Sequence, residues 1–94
     1  MLANNMRPGG EPMTEGELIQ AIEVARQPYS YSVWTIGITD NPERRRAEHG
    51  NPGLWKHWRA DSEAIARSVE KYFLAKGMKG DTGGGFSPTY VYIF

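Results

Sequence analysis

The chain has no cysteine among its 94 residues. That excludes a disulfide framework, a thiolate zinc site and a cysteine nucleophile. Histidine occurs only as His49 and His57, too few for a histidine-rich metal site. No stretch comes near the roughly 20 consecutive apolar residues that span a bilayer. The opening residues, MLANNMRPGGEP, contain no apolar core of signal-peptide length. These absences lead to the expectation of a cytoplasmic protein outside the membrane. Net charge is missing too, because 11 Lys and Arg balance 11 Asp and Glu. Hydrophobic residues at 39% and charged residues at 23% suit a folded domain rather than a disordered chain. The length leaves no room for a second core, so an enzyme of this size builds its site on one small sheet or bundle.

The zero charge conceals an uneven distribution. Residues 1–43 carry two arginines against six carboxylates, a net of −4. Residues 44–79 carry nine Lys and Arg against four carboxylates, a net of +5. Trp55, His57 and Trp58 are interleaved with the basic residues. Such a segment can face phosphates, with Arg44, Arg46, Lys56, Arg59 and Lys71 as candidate nucleic-acid contacts. The plainer alternative is solvated charge on the backs of helices.

Residues 1–13, with their Pro and Gly, read as a flexible tail, and residues 14–94 as a single domain. Thr14-Glu15-Gly16-Glu17 reads as a capping box that opens a helix, and Pro28 ends it near Gln27. Residues 29–39 (YSYSVWTIGIT) are rich in aromatic and β-branched types and read as a strand. Period two places Trp34, Ile36 and Ile38 on a core face. Tyr31, Thr35 and Gly37 take the other face, where the glycine leaves space above it. Asn41-Pro42 starts a second helix that stops at Gly50. Residues 54–60 read as a strand, 62–76 as a helix, 79–88 as a loop and 89–94 as a short last strand. The sum is an α+β domain: a small three-stranded sheet flanked by helices, with an extra N-terminal helix and a C-terminal strand.

Two constellations carry chemistry. Arg45 and His49 are four residues apart, so they share one face of the second helix. Glu70 has Ala66 and Leu74 one turn before and after it, so it borders the apolar stripe, where a carboxylate needs a metal, an arginine or water. Asp81-Thr82-Gly83 matches the aspartic-protease triplet, but it follows Met78-Lys79-Gly80 rather than an apolar strand. The Gly83-Gly84-Gly85 run reads as a turn or hinge. It leads into no helix and is not a P-loop.

The segment from about Val33 to Leu74 resembles the GIY-YIG nuclease superfamily. Thr35-Ile36-Gly37 stands at the Tyr-Ile-Gly strand, Arg45 lies eight residues past the glycine, and His49 follows four later. Glu70, in Ser68-Val69-Glu70-Lys71-Tyr72-Phe73-Leu74, falls at the position of the metal-binding glutamate. The resemblance implies cleavage of a phosphodiester in nucleic acid. It assigns Arg45 and His49 to the site and a divalent cation, Mg²⁺ or another, to Glu70. That cation is weakly bound without substrate, because one carboxylate leaves the remaining positions to water. The alternative is a catalytically inactive module of the same fold that binds nucleic acid or a protein.

Thr35 replaces the tyrosine of Tyr-Ile-Gly, and a helix occupies the place upstream where the Gly-Ile-Tyr strand belongs. Either catalysis is lost or another phenol supplies it, from Tyr31, Tyr90 or Tyr92. The last strand is therefore expected to pair with residues 29–39 and bring a tyrosine to Arg45.

Overall fold

The computed structural model describes residues 11–82 and 85–94. It is an α+β fold with helices α1 (Glu15–Arg26), α2 (Pro42–Glu48) and α3 (Glu63–Lys76) and strands β1 (Thr35–Thr39), β2 (Lys56–Arg59), β3 (Lys79–Gly80) and β4 (Tyr90–Ile93). The sheet runs β2-β4-β1-β3. Among the described residues no helix is long and apolar enough to cross a membrane.

Local chemistry sets the helix ends. Thr14 Oγ1 accepts from the Glu17 N–H at 3.2 Å, and Glu17 returns the bond to Thr14 N at 2.9 Å. Asn41 caps α2 by accepting from Arg44 N at 3.0 Å, with Pro42 in the first position. Ser62 caps α3, which ends at Gly77 in the left-handed region, φ 119°.

The last strand is an inner strand of the sheet. β4 runs antiparallel to both β1 and β2, in the register Ile36 with Ile93, Gly37 with Tyr92, and Trp58 with Val91. The expected pairing of residues 89–94 with the 29–39 segment is thus present. Alternation sends Ile36, Ile38, Val91 and Ile93 into one core with Leu18 and Ile22 of α1 and Ala66, Val69 and Phe73 of α3. Tyr92 points to the opposite face, as do Gly37 and Trp55, and α2 covers that side.

The expected boundaries differ in three places. The sheet has four strands rather than three, because Lys79–Gly80, read as loop, pairs in parallel with β1. The strand read over 29–39 begins only at Thr35, and Tyr31–Val33 form a 3-10 turn. There the aromatic side chains bond to α1: Tyr31 Oη donates to Glu23 Oε2 at 2.8 Å and Trp34 Nε1 to the Arg26 carbonyl at 3.0 Å. Those bonds override a local preference for extended backbone. The tail is also shorter than expected. Met13 N donates to the Arg59 carbonyl at 2.8 Å, and Asp61 N to the Met13 carbonyl at 2.9 Å, so residue 13 joins the edge of β2. The expected tail at residues 1–10 and the turn at Gly83 and Gly84 lie outside the described residues.

Gly37 is required by a close approach. A Cβ there would lie 2.6 Å from Cζ of Tyr92, whose ring rests on the strand backbone. Gly37→Ala is therefore expected to push that ring aside and lower stability by about 1–3 kcal/mol, read as a reduced urea midpoint. An unchanged midpoint would contradict the packing.

Candidate functional site

Four side chains meet on the α2 side of the sheet. Arg45 projects from α2, His49 from the residue that caps its C-terminus, Tyr92 from β4, and Asp81 from the segment after β3. Arg45 Nε donates to Tyr92 Oη at 3.2 Å, and Arg45 Nη2 to Asp81 Oδ2 at 3.1 Å and to the Thr82 carbonyl. His49 Nε2 lies 2.8 Å from the same Asp81 oxygen, to which the Tyr92 hydroxyl also donates. Arg45 Nη1 reaches Glu48 Oε1 at 2.7 Å.

The cluster is walled by aromatics. Trp55 stacks on Tyr92 with ring centroids 4.4 Å apart and planes at 14°. Phe94 lies 4.5 Å from the His49 ring. These neighbours leave Tyr92 fully buried, although its hydroxyl is polar. Burial, reinforced by the adjacent Asp81 carboxylate, pushes the phenol pKa up and holds it neutral. Burial also works to raise the Asp81 pKa. The hydrogen bonds from Tyr92 and His49, with the charge of Arg45, outweigh it and hold the carboxyl below its usual value. Arg45 is held cationic first by the Tyr92 hydroxyl and then by Glu48.

Glu70 approaches from α3. It is half-buried, and its side chain makes no hydrogen bond or ion pair with another described residue. Burial raises its pKa; Arg67 opposes the rise and repulsion from Asp81 adds to it. One turn on, Leu74 Cδ2 is the nearest atom to a Cβ built on Gly80, the residue before Asp81. This end of α3 therefore faces the β3 edge, where Asp81 stands. The described residues include no group of three His, Asp or Glu able to hold a metal. A lone, desolvated carboxylate does fit a hard cation that keeps several waters.

The sequence candidates divide. Arg45, His49 and Tyr92 come together, and Glu70 lies within electrostatic reach of Asp81. Tyr31 is elsewhere: its hydroxyl is on Glu23 and its ring lies under the Arg26 guanidinium at 4.0 Å. Tyr90 is two residues from Tyr92 and borders His57 rather than Arg45. The basic candidates do not share one surface. Lys56 lies opposite Ile93 and Arg59 opposite Tyr90, so the pleat sends them to different faces. Arg44 pairs with Asp40 at 2.9 Å and Glu48 at 3.5 Å. Arg46 Nη2 donates to the Pro52 carbonyl at 3.3 Å, while its Nε is buried without a partner. Lys71 is exposed on α3. Asp81 is the member that sequence reasoning missed. Only the parallel pairing of residues 79–80 with β1 brings it to Arg45.

The depressed Asp81 pKa has a signed consequence. The carboxylate supports the fold above its unfolded pKa, and that support is lost as pH falls through the lower folded value. Asp81→Asn is expected to cost about 1–3 kcal/mol at pH 7, with the deficit shrinking toward pH 3 in urea unfolding. A deficit that grows on acidification would contradict this assignment. No protein-family model, curated protein or solved structure matches the chain.

Proposed function

We propose that the chain is a GIY-YIG-like, metal-dependent endonuclease in which β4 takes the role of the Gly-Ile-Tyr strand and Tyr92 that of its tyrosine. The observation that carries this reading is the 3.2 Å bond from Arg45 Nε to Tyr92 Oη, across 47 residues of sequence. The family-like spacing from Gly37 to Arg45, His49 and Glu70 supports it independently.

In this reading Arg45 is a fixed cation that steadies charge developing on a phosphodiester. Its bonds to Tyr92 and Glu48 set the guanidinium plane before substrate arrives. Tyr92 is the phenol that orients the attacking water, kept dry on one side by Trp55. Its raised pKa makes it a neutral donor at rest, so as it takes a proton from water it hands its own to the His49 imidazole, which shares the Asp81 oxygen with it. His49, 2.8 Å from Asp81, is a second group able to move a proton at the same point. Glu70 is the residue that would hold Mg²⁺, which when bound polarises the phosphate oxygens.

The second reading is a non-catalytic module. It draws on an apolar depression of about 270 Å³ lined by Tyr29, Val33, Trp34, Leu54 and Phe94. Exposed Tyr29, Val33 and Leu54 form its rim, which suits a protein partner as well as a base.

The two readings part on cleavage. With Mg²⁺ and a panel of single-stranded, branched and nicked DNA and RNA, the nuclease reading expects cleavage. Arg45→Ala, Glu70→Ala and Tyr92→Phe each lower it about 10²-fold or more, while Tyr31→Phe and Tyr90→Phe leave it within a few-fold. Salt-sensitive binding without cleavage on every substrate favours the module instead.

A further inference from the structure

All three nitrogens of the Arg45 guanidinium are engaged within the chain. Nε bonds Tyr92, Nη1 bonds Glu48, and Nη2 bonds Asp81 and the Thr82 carbonyl. Asp81 Oδ2 in turn collects Arg45, His49 and Tyr92 together. A guanidinium, an imidazole and a phenol converging on one anionic oxygen is the donor set that a protein offers to a phosphate oxygen.

We propose that the Asp81 carboxylate is an internal stand-in for a phosphate oxygen, so that Asp81 and an incoming phosphate exclude each other at Arg45, His49 and Tyr92. The inference rests on the nuclease reading only in taking the ligand to be a phosphate group. It makes the folded site self-occupied, with substrate entry requiring the carboxylate to leave.

Three further observations support it. The Asp81 side chain is only 14% exposed, so it is seated in the site rather than waving at its rim. Its backbone is fixed, since Asp81 N donates to the Ile36 carbonyl at 3.0 Å. The carboxylate can therefore leave Arg45, His49 and Tyr92 only by a change of side-chain rotamer, while Arg45 Nη2 keeps its bond to the Thr82 carbonyl. Charge acts in the same direction. Arg45 is the one arginine paired with Asp81, and it also pairs with Glu48, which Arg44 shares. A phosphate arriving at Arg45 meets the Asp81 charge already there, and removing that charge relieves the repulsion.

The test titrates inorganic phosphate, at constant ionic strength, into the full chain and its variants. Binding is read from the NMR signals of the Arg45 Nε–H and the His49 ring. Asp81→Asn and Asp81→Ala are expected to bind phosphate at least about tenfold more tightly than the unmodified protein. Adding Arg45→Ala to either is expected to erase the gain. Folded variants that bind phosphate no better than the unmodified chain would overturn the proposal and make Asp81 an organiser of the donors instead. If neither variant folds, the unmodified chain decides. Saturating phosphate must then shift the His49 ring signals as its bond to Asp81 breaks, and unmoved signals overturn the proposal. Failure of the two ideas is separable. Tighter phosphate binding in the variants with no cleavage of any nucleic acid keeps this inference and removes the nuclease. Cleavage by the unmodified chain with unchanged phosphate affinity in the variants does the reverse.

Discussion

The ring of Tyr92 lies directly against the backbone of Gly37, and the site is arranged around that contact. β4 sits between β1 and β2, so its side chains are braced from both sides. The register places Tyr92 opposite Gly37 on one flank and His57 on the other. Trp55 closes over the ring from above at 4.4 Å. A side chain on residue 37 would lift the phenol, and the hydroxyl would then miss both Arg45 and Asp81. The chain thus uses the absence of one side chain to fix another within hydrogen-bond reach of α2.

Several of the arginines are neutralised locally. Arg44 is shared by Asp40 and Glu48, Arg45 by Glu48 and Asp81, and Arg67 by Glu63. The net +5 of residues 44–79 is therefore poorer in free cations than its composition suggests. Exposed pairs of this kind contribute little to stability. Their effect here is on geometry, since they set which way each guanidinium points.

The parts legible in the sequence are those decided by short-range chemistry. The Thr14 capping box, the Asn41-Pro42 helix start and the Gly77 stop are each written in no more than four adjacent residues. Alternation through Trp34, Ile36 and Ile38 gave the core face of β1 correctly, because one buried face leaves only one choice of side. Thr35, lacking a phenol, pointed to a tyrosine on the last strand. What was not legible depends on pairing at long range. The two-residue strand at Lys79–Gly80 has almost no local signature, and without it Asp81 reads as part of a loop. Tyr31 was misplaced because its hydroxyl prefers Glu23 on α1, a contact that no strand pattern contains.

The position of β4 also imposes an order on assembly. β1 and β2 do not touch as a pair; each reaches the other only through residues 90–93. Both strands and the three helices precede that shared partner along the chain. The helices and their caps can form early, but the sheet closes by insertion of an inner strand, a step of high sequence separation and correspondingly slow. Arg45 meets its phenol in that same step. Until β4 pairs, the arginine and the carboxylates are not gathered around the phenol, and the cluster forms only when the fold does.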